Sequence, residues 1–169
     1  KGYVDKRNEI ETELEKADKS SANANWSHFG ELKRKETFNA SGMILHERYW
    51  DVLGGNGEID TSLTVIRKII NDFGSFKAWM DDFVATAKAS LGWAILCFDS
   101  SDSSLHNYMC DSHHLGAVWG AIPLLPADVW EHAYYRDVGP DRATYISKFL
   151  ANIDWDKVNE IYERLCTNK

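Results

Sequence analysis

The stretch Ile122-Pro123-Leu124-Leu125-Pro126-Ala127-Asp128-Val129-Trp130-Glu131-His132-Ala133-Tyr134-Tyr135 carries an apolar run into a carboxylate, with a histidine one helical turn further on. The apolar part reads as a buried strand. A carboxylate at the end of such a run costs free energy unless it is paired or binds a metal. Asp and His together are a hard nitrogen–oxygen donor set, suited to iron, manganese or zinc. Taken alone, Asp128 and His132 read first as a local pair on one face of a helix.

Working back from this stretch, Gly92-Trp93-Ala94-Ile95-Leu96-Cys97-Phe98 is a second continuous apolar run, the pattern of a strand buried on both faces. Asp99 to Ser104 is a turn, and Leu105 to Cys110 a returning strand. Pro123 and Pro126 make the third strand, Ala121 to Ala127, an edge or irregular one. Upstream the period changes to that of helices. One runs from about Tyr3 to Lys19, and after the polar linker Ser20 to Asn25 a second runs from about Glu31 to Leu53. Gly54, Gly55 and Gly57 stop the second helix and mark a boundary, giving residues 1–57 as a helical hairpin and 58–169 as a second lobe. A third helix passes through Thr64 to Ile70, capped by Asp60 or Thr61 and ended by Gly74, and a fourth follows Ser75 as its cap. Two more helices, Asp141 to Ala151 and Asp154 to Leu165, close the chain. Helices, a small three-stranded antiparallel sheet and helices again make an α+β architecture.

Composition bounds the function. The 169 residues suffice for one real core or two small lobes, and the 44% apolar fraction is that of a folded protein. A net charge of −7 argues against general binding of nucleic acid or of an anionic membrane, and no apolar run approaches membrane-spanning length. Local field still permits an anionic substrate. Cys97, Cys110 and Cys166 are too few and scattered for a disulfide framework and read as reduced thiols, which favours the cytoplasm. The chain opens Lys1-Gly2-Tyr3-Val4 with no Met and no signal pattern, as a segment beginning inside a larger protein would.

Asp128-Val129-Trp130-Glu131-His132-Ala133-Tyr134-Tyr135 resembles, position by position, the signature of the iron/manganese superoxide dismutases. The resemblance extends over essentially all of residues 2 to 166. It implies a helical hairpin followed by a lobe of helices around a three-stranded sheet, the order already read from the pattern. It also implies one Mn or Fe ion per chain, with Asp128 and His132 as ligands. His46, in Leu45-His46-Glu47-Arg48-Tyr49-Trp50, matches the ligand His of the family's long second helix. Tyr3, in Gly2-Tyr3-Val4, is similar to the gateway tyrosine that relays protons over the open coordination position. Trp93, Trp130 and Tyr135 match aromatics that wall the metal pocket and are expected in the core either way.

The donor to metal-bound solvent separates metal types in the family. The iron-type glutamine would stand at Gly42, one turn before His46, and is absent. In Asp111-Ser112-His113-His114-Leu115-Gly116 the alternative donor aligns with His113, with His114 one register away and Cys110 a weaker choice. Gly42 with His113 resembles manganese or metal-interchangeable members more than strict iron enzymes. Glu131, read as an interior carboxylate, matches a residue that reaches across a dimer interface to the ligand His of the second subunit. This implies a homodimer and leaves further pairing into a tetramer open. The family's fourth protein ligand, a His about two turns before the gateway tyrosine, has no counterpart in this sequence, nor has a His nearer the tyrosine. A shortened dismutase is the simplest expectation.

The expected activity is superoxide dismutation: one superoxide leaves as oxygen, and a second takes two protons and leaves as hydrogen peroxide, as the metal is alternately reduced and oxidised. A metal-free interaction module lacking the first ligand is the rival reading. A third, from donor chemistry alone, is a non-haem iron oxygenase using two His and one carboxylate.

Overall fold

A computed structural model describes residues 1–167. Among these residues seven α-helices and three strands follow one another as α1 Gly2–Lys16, α2 His28–Asp51, α3 Thr64–Phe73, α4 Phe76–Ala89, β1 Trp93–Asp99, β2 Ser104–Cys110, β3 Ala121–Asp128, α5 Glu131–Val138, α6 Arg142–Leu150 and α7 Trp155–Tyr162. The chain forms two compact units, Lys1–His46 and Glu47–Lys169.

The first unit is α1 and the greater part of α2. Ile10 is the buried residue of α1. The second helix starts three residues before the expected Glu31, because Ser27 caps it: its hydroxyl accepts from the Gly30 N–H at 3.1 Å. Near the start of α1 the Tyr3 ring lies 6.3 Å from that of Phe38 on α2.

The second unit is built on the sheet, in the order β2-β1-β3, all antiparallel. Every residue of the central strand β1 is buried, which is why its sequence is apolar without alternation. β3 is an edge strand, and the register slips opposite Leu96/Cys97, where Leu96 faces Leu125 and Cys97 faces Pro123. This irregularity is the one the prolines announce: a ring without an N–H cannot extend a regular ladder. Gly92 precedes β1 because a Cβ there would stand 2.8 Å from the Cys110 carbonyl oxygen and 3.0 Å from Trp130 Nε1.

Aromatic rings fill the core beneath the sheet. Trp79 and Phe83 of α4 are fully buried, with Phe83 stacked on Phe149 at 6.3 Å and Trp79 edge-on to Trp155 at 5.4 Å. Trp79 Nε1–H donates to Asn107 Oδ1 on β2 at 3.0 Å, so its polar edge is satisfied in the interior.

The helix signals were mostly legible. Ser75 caps α4 by accepting from the Ala78 N–H, and Asp141 and Asp154 cap α6 and α7 in the same way. Gly74 ends α3 with a left-handed φ of 83°. The expected cap of α3 is corrected: Leu63 occupies the position with no side-chain bond, and Asp60 instead accepts from the Ser62 N–H at 2.7 Å to close a turn. The separate helix α5 was not foreseen. Its eight residues are too few to show a period.

At the β1–β2 turn Asp99 is buried. One carboxylate oxygen accepts from the Ser101 N–H and hydroxyl, and the other accepts from the Tyr108 hydroxyl at 2.6 Å. The Ser101 and Tyr108 hydroxyls and the Ser101 N–H hold the Asp99 carboxyl down at about 2 and, in turn, the Asp99 carboxylate pushes the Tyr108 phenol up to about 12. A depressed carboxyl stabilises the fold fully above the unfolded value of about 4, and the contribution is lost as pH falls through the folded value. Acid unfolding of the parent chain should therefore steepen between pH ~4 and ~2. Asp99→Asn should flatten that part of the curve, as circular dichroism across an acid titration will read.

Candidate metal centre

Asp128 is the last residue of β3, where its backbone pairs with Trp93 at the start of β1. Val129 N–H donates to the Gly92 carbonyl at 2.9 Å, which fixes the strand end against its neighbour. Asp128 is only 2% exposed. One carboxylate oxygen accepts from the Trp130 N–H at 3.1 Å. The other stands 3.1 Å from His132 Nε2. The strand ends at the carboxylate, Val129 and the extended Trp130 lead into the helix, and the first turn of α5 swings the imidazole back over it. The arrangement needs the i,i+4 spacing across a strand-to-helix junction, where a continuous helix would place both side chains on its surface.

His132 itself is 57% exposed and stacks on Trp130, with 6.4 Å between ring centroids and 12° between planes. A buried carboxylate needs positive charge nearby, whether a protonated imidazole or a cation that both groups share. Oxygen and neutral imidazole nitrogen are hard to intermediate donors, so the pair fits manganese, iron or zinc.

The other expected residues fall into two further groups. In the first unit, His46 of α2 stacks against Tyr3 at 4.9 Å and 30°. Its Nδ1 lies 2.7 Å from the Gly42 carbonyl oxygen. A carbonyl only accepts, so Nδ1 carries the proton and the lone pair sits on Nε2, the state in which imidazole binds metals. Gly42, singled out for the side chain it lacks, thus contributes through its backbone.

In the second unit, Trp93 and His113 are both buried. Trp93 Nε1–H donates to His113 Nδ1 at 3.0 Å. The indole can only donate, so Nδ1 is the acceptor and the His113 proton is on Nε2. The neighbouring His114 is half-buried.

Two expectations are corrected. Glu131 is exposed in the single chain, not interior. Tyr135 is 55% exposed and Trp130 half-buried, so of the three expected core aromatics only Trp93 is in the core. Position on a helix explains this. On α5 Tyr134 faces inward and is the one buried residue, which turns the adjacent Tyr135 outward, while Glu131 lies exposed in the first turn of the helix. The sequence reading passed over Tyr134, although an aromatic two residues from a ligand candidate was signal enough. Among the described residues no helix is long and apolar enough to cross a membrane.

The model of the C-terminal domain of iron/manganese superoxide dismutases matches residues 60–161. The chain is 40% identical over 163 residues to the manganese superoxide dismutase 2 of Haloferax volcanii, covering 96% of this chain and 80% of that protein. It is 42% identical over 167 residues to the iron superoxide dismutase of Aquifex aeolicus, covering 97% and 78%. With the manganese superoxide dismutase 1 of Halobacterium salinarum it shares 39% over 163 residues.

Proposed function

We propose, since this chain belongs to the iron/manganese superoxide dismutase family, that it disproportionates superoxide to oxygen and hydrogen peroxide at one Mn or Fe ion. The observation that carries the reading is the buried Asp128 carboxylate 3.1 Å from His132 Nε2, inside the matched segment. We assign Asp128 and His132 and, by the resemblance of its segment on α2, His46 as the protein's ligands. The His46 tautomer supports its part, because the Gly42 carbonyl leaves Nε2 as the donor atom. When bound, the ion supplies the one-electron couple, and the protein sets potential and proton supply.

The chain's own residues take the remaining roles. Asp128 contributes negative charge from a dry setting, which favours binding of a cation over a neutral ligand. His113 is the proposed hydrogen-bond donor to solvent at the site. Trp93 supports this choice over His114, because it leaves the His113 proton on Nε2. Tyr3, stacked on His46, has a phenol that can accept and return a proton, and we assign it the gateway role. Trp130 lies beside the His132 ring, nearly parallel to it, and we assign it a place in the wall of the metal pocket. Gly42 in place of a glutamine, together with His113, favours manganese or either metal over iron alone.

The finer assembly is part of the same proposal. Glu131 and Tyr135 are exposed on α5, beside His132, and a second copy covering them would bring Glu131 to the other subunit's ligand histidine. We propose a homodimer through this face, in the cytoplasm, with superoxide as substrate. Glu131→Ala should shift sedimentation from dimer towards monomer; a parent chain that sediments as a monomer would refute this interface.

The deciding experiment is metal content per chain on protein purified without chelator, followed by superoxide consumption. Near-stoichiometric Mn or Fe with rapid consumption is expected. A folded chain that takes up neither metal would overturn the reading and favour the interaction module.

A further inference from the structure

We propose that Arg142 and Tyr134 are positioning residues for His132, together forming a clamp that fixes where α5 presents its imidazole. The proposal rests on the reading of His132 as a ligand, and it goes beyond the ligands and the residues around them.

α5 is poorly equipped to hold its own position. It has eight residues, and its N-cap, Trp130, makes no side-chain cap bond. Helices this short are unstable without tertiary contacts. His132, 57% exposed, is not locked by burial. The helix is anchored through one buried side chain, Tyr134. Its ring stacks on Tyr145 of α6, with centroids 4.9 Å apart and planes 20° apart. Its hydroxyl accepts from Arg142 Nε–H at 3.2 Å.

The same guanidinium reaches a second segment. Arg142 Nη1 donates to the Ser90 carbonyl at 2.8 Å and lies 3.4 Å from that of Lys88. Ser90 is the C-cap of α4 and leads through Gly92 into β1. That passage holds Asp128, through the Trp93–Asp128 register and the Val129 bond to Gly92. One rigid, planar fork therefore ties the helix that carries His132 to the backbone that locates Asp128. A lysine has no such fork and cannot serve both acceptors at fixed geometry.

The test uses the full chain, stripped of metal, and four variants: Tyr134→Phe, Arg142→Lys, Arg142→Leu and the double variant Tyr134→Phe/Arg142→Leu. Manganese(II) affinity is read by electron paramagnetic resonance titration. The His132 ring is observed by NMR in the metal-free protein, a readout that general loss of stability does not move. Tyr134→Phe and Arg142→Leu should each weaken manganese binding by about 10-fold or more, the scale of outer-shell changes. Both should shift or broaden the His132 ring signal, and the double variant should be no worse than Arg142→Leu alone. Arg142→Lys should fall between. Unchanged affinity and ring signal in Tyr134→Phe, which keeps the buried ring, would overturn the clamp even where Arg142→Leu fails to fold. If the parent binds no manganese, the ligand reading falls, and the ring signal of the metal-free protein still decides the clamp.

Discussion

A chain carrying His132→Ala is expected to purify without bound Mn or Fe and to lose superoxide consumption with it. Three protein donors are proposed for the ion, and removing one leaves Asp128 buried beside an empty position. The loss of affinity should exceed the 10–100-fold typical of changes outside the ligand set. His46→Ala should behave alike, whereas Tyr3→Phe should keep the metal, since it removes only a phenol hydroxyl. Metal analysis on the three variants separates these roles. Stoichiometric metal in both histidine variants would refute the ligand assignment. Metal binding is also folding energy, so the melting temperature of the loaded parent should exceed that of either histidine variant.

The second large effect is in the core. Phe83→Ala removes a fully buried ring held between Trp79 and Phe149, at 5.3 and 6.3 Å. Truncations of this kind cost about 3–5 kcal/mol, because the cavity collapses only partly. For a chain of this size each kcal/mol lowers the melting temperature by roughly 2–4 °C. A drop of about 10 °C is therefore expected, read by calorimetry or circular dichroism. A fall of under ~2 °C would mean that the site repacks and that the aromatic cluster does not carry the stability assigned to it.

Much of this protein is written locally. The unbroken apolar run from Trp93 to Phe98 has the pattern of a strand buried on both faces, and it is the central one. Pro123 and Pro126 place β3 at the edge, because an edge strand tolerates residues that donate no hydrogen bond. Ser75, Asp141 and Asp154 start helices by a side-chain bond that needs only neighbouring residues. The eight residues from Asp128 to Tyr135 identify the family, and residues 60–161 match its model.

Other features have no local cause. Which side of α5 is buried depends on Tyr145 and Arg142, which lie beyond the end of that helix, so sequence reading put Tyr135 in the core when Tyr134 is the inward residue. The protonation of His113 is set by Trp93, twenty residues away along the chain and adjacent only once β1 and the loop after β2 are formed. The sequence by itself determined every strand and every helix but α5, the family and the candidate donors, because periodicity, caps and a contiguous motif act between near neighbours. Only the tertiary structure decided which ring nitrogen keeps its proton, which face of α5 is buried and what holds His132 over Asp128. Those depend on donors and acceptors brought together by packing, and no spacing along the chain encodes them.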